Sequence, residues 1–261
     1  MSGLGRFFDL NRRASRAVDR ALPAAARVDG NRTFRETVPT WVARPGAKVY
    51  DIGGGSRPAV SPEVKARFGL TCVGLDIEAE ELSKAPPGGY DETIVADICT
   101  FRGRQDGDVV LCQAVLEHVE DAGKAIEGLV SLLRPGGELH IFVPCRNAAF
   151  ARLNLALPQQ AKIRLLHTVS PTEDVIEHQG FPVRYDRCTP RDFRAELAAL
   201  GCSDIRIRTF WMSTYFFAFL PAYLAWRAWQ GVARTVLREN GAETFIASAR
   251  APVDRPAEPQ R

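Results

Sequence analysis

Three aspartates stand where short apolar runs of the chain end: Asp51 in Lys48-Val49-Tyr50-Asp51-Ile52, Asp76 in Thr71-Cys72-Val73-Gly74-Leu75-Asp76-Ile77, and Asp97 in Thr93-Ile94-Val95-Ala96-Asp97-Ile98. The first is followed at once by Gly53-Gly54-Gly55. Carboxylates in such places accept hydrogen bonds from the hydroxyl and amino groups of a ligand, each bond contributing about 1.5–3 kcal/mol. Glycines beside them allow positive φ and put no Cβ between the main chain and the ligand. Asp76 follows Gly55 by about twenty residues, the spacing at which an acid reaches the two ribose hydroxyls of an adenosine-containing ligand. One such acid alone is more simply a helix cap or a solvated loop end. Three in register with a glycine turn argue for a nucleoside pocket.

Such a pocket needs strands that end side by side. Val49, Tyr50 and Ile52 favour a pleated, buried conformation over 47–52, and Pro58 suits the first position of a helix. A helix near 61–68 leads to a second strand at 71–77, and a third follows at 93–98. Asp108-Val109-Val110-Leu111-Cys112-Gln113 forms a fourth strand, and a helix occupies about 121–133. Arg134-Pro135-Gly136-Gly137 turns the chain into a fifth strand at 138–143. A helix at 189–200 is bounded by Thr189-Pro190 and Gly201, and strands at 204–210 and 243–249 close the series. Alternation of strand and helix predicts parallel pairing with right-handed crossovers, and near-continuous apolar strands predict a sheet covered on both faces.

At 261 residues, 46% hydrophobic and 25% charged, the chain has the composition of one substantial globular domain with appendages. A net charge of +3 gives no reason to expect nucleic acid. Six cysteines lie far apart with no C-x-x-C pair, as reduced thiols of a cytoplasmic protein would. With His118, His140, His167 and His178 they make no metal-ligand spacing, and no metal is expected. The N-terminus lacks the apolar core and cleavage site of a secretory signal.

Five segments occur in a recognisable order: Val49 to Arg57, Gly74-Leu75-Asp76, Ala96-Asp97-Ile98, Leu116-Glu117-His118-Val119 and Leu132-Leu133-Arg134-Pro135-Gly136-Gly137. Together they resemble the class I S-adenosylmethionine-dependent methyltransferases, in particular the group with "LEHV" and "LRPGG" segments. The likeness runs from about residue 46 to 144. It implies an α/β, doubly wound, mostly parallel seven-stranded sheet of Rossmann-like type with the last strand antiparallel. It implies S-adenosylmethionine as the cofactor. On that resemblance Asp51 with Gly53, Gly54 and Gly55 flanks the methionine moiety. Asp76 with Ile77 meets the ribose, Asp97 with Ile98 addresses the adenine amino edge, and Gln113 borders the methionine portion and the methyl group. Arg57 departs from the family pattern, which has a third glycine there.

No catalytic residue follows from the family, because methyl transfer from a sulfonium depends above all on in-line proximity. An acceptor of high pKa would demand a base, and His118, His178 and Tyr185 are candidates. His118 as a support of the site, and the others as ordinary loop polarity, are the plainer readings. The irregular stretch 144–187 also carries His167 and Glu177, and is where the family often contacts its acceptor.

Two segments lie outside this frame, and the chain divides accordingly into 1–30, a methyltransferase domain at 31–250, and a disordered tail at 251–261. Residues 1–30 set Arg6, Arg12, Arg13, Arg16 and Arg20 among Leu4, Phe7, Phe8, Leu10, Val18 and Leu22, as a basic amphipathic helix does. Such a helix lies on an anionic membrane, covers a ligand site, or packs with a solvated arginine face. Residues 209–226 are uncharged and hold Phe210, Trp211, Tyr215, Phe216, Phe217, Phe219, Tyr223 and Trp226. Strands on both sides of that stretch exclude a single membrane crossing. It is therefore an aromatic helical insertion (209–240) that packs on the domain, lines an acceptor tunnel, pairs in a homodimer, or dips into a membrane interface through 209–230 together with 1–22. These features suggest a small-molecule acceptor, saccharide- or lipid-linked, met at the inner face of a membrane. Two other functions fit parts of the pattern: a non-catalytic S-adenosylmethionine-binding scaffold at a membrane, and an NAD-dependent oxidoreductase. The latter wants G-x-G-x-x-G, where this chain has Pro58 as its last member.

Overall fold

A computed structural model describes residues 3–156 and 183–253. Its centre is a seven-stranded sheet in the order β3-β2-β1-β4-β5-β7-β6. The strands are β1 Lys48–Ile52, β2 Thr71–Asp76, β3 Glu92–Val95, β4 Gly107–Gln113, β5 Leu133–Pro144, β6 Ser203–Phe210 and β7 Thr244–Arg250. The first five pair in parallel, and β7 runs antiparallel between β5 and β6. Asp51 sits opposite Gly74 on one side and Leu111 on the other, with Asp76 opposite Val95. Strand order reverses at β1 and β4, so the crevice where an open α/β sheet binds ligands opens beside Asp51.

Helices cover both faces. On one, α5 (Ala122–Leu132) and α7 (Pro190–Ala199) bury Ile126, Leu129, Phe193 and Leu197 against Ile52, Val110 and Ile141. On the other, α2 (Gly30–Trp41) and α3 (Pro62–Phe68) cover Val49, Leu111 and Phe142, with Phe34 and Val38 fully inside. Side-chain caps start these helices: Asp29 for α2, Ser61 for α3, Asp121 for α5 and Thr189 for α7.

The structure corrects the sequence reading in four places. The proline at the start of α3 is Pro62, not Pro58, because Ser61 supplies the cap. Strand β3 ends at Val95, before Asp97. As edge strands, β3 and β6 are largely open to solvent rather than covered on both faces. Residues 133–137 belong to β5 itself, whose register with β4 shifts there, with Gly136 at φ +74°. Ala251, at the head of the expected tail, is buried and exchanges backbone hydrogen bonds with Gly136 and Gly137.

The N-terminal helix α1 (Gly3–Arg20) packs on α8 (Leu220–Val236), which follows the 3-10 turn Tyr215–Ala218. Phe217, Tyr223 and Trp226 are buried beneath it. The joint is polar at its heart. Asp19 Oδ1 accepts from Tyr223 Oη at 2.9 Å and from the Arg227 guanidinium. Arg227 also donates to the carbonyl of Trp211 at 3.2 Å and to Gln230 Oε1 at 2.7 Å. Trp226 Nε1 donates to Glu243 Oε1 at 2.6 Å. Removing one partner of a buried ion pair strands the other charge. Asp19→Ala is expected to cost about 3 kcal/mol in urea unfolding and to open α1 to proteolysis. Unchanged stability and protection would show that α1 is held by its apolar contacts alone.

Candidate active site

The turn after β1 is built over a buried acid. Asp51 is 3% exposed, and its Oδ2 accepts from the Ala59 N–H at 2.7 Å and from Tyr90 Oη at 3.1 Å. These two bonds close the glycine turn onto the end of β1. Gly53 and Gly55 take φ values of +69° and +48°, which glycine adopts at no steric cost. A Cβ on Gly54 would lie 2.4 Å from Asp51 Oδ2 and 2.5 Å from Tyr90 Oη. Tyr90 escaped the sequence reading. Its signal was Gly74 inside β2, where an added Cβ would meet the Tyr90 ring at 2.8 Å.

The other predicted contacts gather around this turn unequally. Asp76 closes the neighbouring strand, its Oδ1 accepting from the Glu78 N–H at 3.0 Å, and its Oδ2 lies 3.4 Å from where a Cβ of Gly55 would stand. Glu81 flanks the same space, receiving Ser56 Oγ at 3.1 Å. Ile77 is exposed beside Asp76. Asp97 lies one strand further out, exposed, and its Oδ1 accepts from the Cys99 N–H. The Ile98 side chain is buried in the core against α5, so its main chain is what remains for a ligand. Gln113 ends β4 with its Nε2 donating to Asn31 at the head of α2, and Ala114 beyond it has φ +57°. Asn31 is a second wall of the crevice that sequence reading did not single out.

Residues 50–141 match a family model described as a methyltransferase domain. Curated relatives include ubiquinone biosynthesis O-methyltransferases of Cupriavidus pinatubonensis, 34% identical over 39% of this chain and 42% of its own length, and of Xanthomonas campestris pv. campestris, 34% identical over 42% and 48%. The chain thus spans under half the length of these relatives. Among solved structures, phosphoethanolamine N-methyltransferase 2 of Haemonchus contortus superposes with a TM-score of 0.53 at 14% identity, over 85% of this chain and 52% of that one. Geranyl diphosphate C-methyltransferase of Streptomyces coelicolor A3(2) gives 0.53 at 11%, over 84% and 75%. Over residues 50–141 the chain is similar to a methyltransferase domain, and its fold is shared with these solved methyltransferases.

The crevice fits S-adenosylmethionine, the ligand of the first of those structures. S-adenosylmethionine brings a sulfonium, an ammonium and a ribose diol. Burial, opposed by the bonds from Ala59 and Tyr90, pushes the Asp51 carboxyl up to about 6, as for an anion that lacks a cation. Burial and then neighbouring Glu81 also raise Asp76. A cationic ligand with two hydroxyls would relieve both.

The base candidates separate. His178 lies outside the described residues, as do His167 and Glu177. His118 is half-buried, with Nε2 3.9 Å from Glu117 Oε1. Tyr185 is 2% exposed, in the left-handed region at φ +50°, and hydrogen-bonds Asn154 of α6 (Ala149–Ala156). The residue that sequence reading passed over is Glu117, 5% exposed and pushed by burial up to about 8.

Two predictions follow from this geometry. Gly54→Ala should keep the fold but weaken S-adenosylhomocysteine binding at least tenfold by calorimetry, because its Cβ splits the Asp51–Tyr90 bond. Wild-type affinity in that variant would show the turn can yield. Asp51 and Glu117 both hold protons more tightly folded than unfolded, so their contribution to stability falls as pH rises through about 6 and about 8. Thermal unfolding should show that decline, and Glu117→Gln should flatten its upper part; an unaltered profile would remove the buried acid from this account.

Proposed function

We propose that the chain transfers the methyl group of S-adenosylmethionine to an amphipathic acceptor, saccharide- or lipid-linked, presented at a membrane surface. The observation that carries this reading is the glycine turn closed over buried Asp51, with Asp76 beside it on the next strand. In this reading Asp51 and the turn meet the methionine end, Asp76 with Ile77 the ribose, Asp97 and Ile98 the adenine edge, and Gln113 the methyl group. Oxygen as the receiving atom accords with the relatives named as O-methyltransferases.

The lipid side of the proposal rests on the surface made by α1 and α8. Phe7, Leu10, Phe219, Leu224, Val232 and Val236 are exposed there, beside Arg6, Arg13, Arg16, Arg20, Arg234 and Arg238. Aromatic and aliphatic side chains among arginines suit an anionic lipid interface. Among the described residues no helix is long and apolar enough to cross a membrane, so the contact would be peripheral.

Calorimetric titration of S-adenosylmethionine into wild type and Asp76→Ala tests the cofactor. Binding by the wild type and a tenfold to hundredfold loss in the variant are expected, about 1.5–3 kcal/mol at the ribose. No heat with wild type would sink the reading. Flotation with phosphatidylglycerol vesicles tests the surface. Wild type should float and Arg13→Glu/Arg16→Glu should not; a wild type that ignores the vesicles would confine the acceptor to solution.

A further inference from the structure

Two apolar stripes run out at the same place. On α2, Phe34 and Val38 lie fully inside, and the residue one turn before Phe34 on that stripe is Asn31. On β4, Val109 and Leu111 pack in one cluster with Phe34 and Val38, and the next residue on that face is Gln113. Each stripe thus ends in a carboxamide, and the two meet, Gln113 Nε2 donating to Asn31 Oδ1. Asp51 belongs to the same face of the sheet, two residues past Val49 and opposite Leu111. Gln113 therefore stands one repeat of the pleat beyond Asp51, toward the glycine turn. Two residues on, Val115 Cγ2 lies 2.2 Å from where a Cβ of Gly53 would stand.

The head of α2 is held firmly. A Cβ on Gly30 would lie 2.4 Å from Thr244 Oγ1 and 2.8 Å from the Phe210 ring, so the helix starts hard against the paired ends of β6 and β7. Asp29 caps it through the Arg32 N–H at 2.8 Å. Asn31 is nonetheless exposed, and it lines an open hollow of about 360 Å³ with Asp29, Arg32, Arg35 and Glu36. Gln113 is half-buried, and among the described residues its Oε1 accepts no hydrogen bond. A hydrogen bond at so open a place adds little to stability, because water would serve both partners as well. Its use lies in what it orients.

We propose that Asn31 is a positioning residue: by holding Gln113 Nε2 toward α2, it leaves Gln113 Oε1 as the acceptor offered to the sulfonium end of the cofactor. The proposal rests on the methyl-transfer reading above and assigns to Asn31 a share of its cofactor discrimination. A carboxamide turned the other way would present an N–H, whose positive end repels a sulfonium and its polarised methyl group. The oxygen attracts that cation and is nearly indifferent to the neutral thioether left once the methyl group has gone. The orientation therefore favours S-adenosylmethionine over S-adenosylhomocysteine, and spent cofactor leaves the more readily for it.

The test is calorimetric titration of S-adenosylmethionine and S-adenosylhomocysteine into wild type, Asn31→Ala, Gln113→Ala and the double variant. What is read is the ratio of the two affinities, which a general loosening of the site would leave unchanged. Asn31→Ala should lower the preference for S-adenosylmethionine by at least about fivefold, with S-adenosylhomocysteine affinity kept within about twofold. Gln113→Ala should lower it likewise, and the double variant no further than Gln113→Ala alone, since the effect of Asn31 passes through Gln113. Asn31→Asp keeps an acceptor for Gln113 Nε2 and should hold the ratio at or above the wild-type value. A wild-type ratio in Asn31→Ala, a further loss in the double variant, or a lowered ratio in Asn31→Asp overturns the role of Asn31. A wild type that binds neither ligand overturns the methyl-transfer reading instead, and the proposal with it.

Discussion

The bond between Tyr90 and Asp51 is the constraint from which the rest of the crevice follows. An acid at the end of a central strand has no solvent to stabilise its charge, so the protein must bring donors to it. Ala59 arrives only if the intervening chain doubles back, and Gly53 and Gly55 at positive φ allow that return. Tyr90 arrives only if β2 has no side chain in its path, and Gly74 removes one. The same fold-back sets the turn over the reversal point between β1 and β4. The proposed cofactor cradle and the structural staple are therefore one set of atoms.

How much of this could be read from residues depended on whether the cause was local. Strand and helix order, the cap at Thr189 and the acids Asp51 and Asp76 are written in short windows, and the structure places them where periodicity and turn chemistry put them. Pro58 misled because it and Pro62 suit a helix start equally, and the choice fell to Ser61 as cap. Asp97 was assigned a strand end that the edge position of β3 cuts short. Tyr90 and Asn31 escaped, since each matters through a contact with a residue far along the chain, at Asp51 and Gln113, and Gly74 was the one trace of Tyr90. Glu117 was read within a motif and passed over, because neither its burial nor its missing partner can be seen in sequence.

The joint between α1 and α8 shows the same dependence on distance. Residues 209–226 read as uncharged and aromatic, which left membrane, tunnel, dimer and packing all open. The structure divides the stretch and α8 by face. Tyr223 and Trp226 turn inward toward Asp19 and Glu243, while Phe219, Leu224 and Val232 stay outside. Arg227, first of the charges beyond the uncharged stretch, is half-buried and joins Asp19, Tyr223, Gln230 and the Trp211 carbonyl. A network of that kind fixes which face of α8 looks in, and so fixes which apolar side chains remain available to a partner.

Two acids, then, are buried within one site and treated oppositely. Asp51 receives an amide and a phenol, and its partial satisfaction locks the turn proposed to hold the cofactor. Glu117 keeps one oxygen without a partner among the described residues, although the main chain around it is well bonded. Burial raises both, but the partners of Asp51 hold it nearer the ordinary range, at about 6 against about 8. A group that must stay ionised to attract a cation gains from such donors. The contrast between a donated carboxyl and a withheld one is what sets these two buried acids apart.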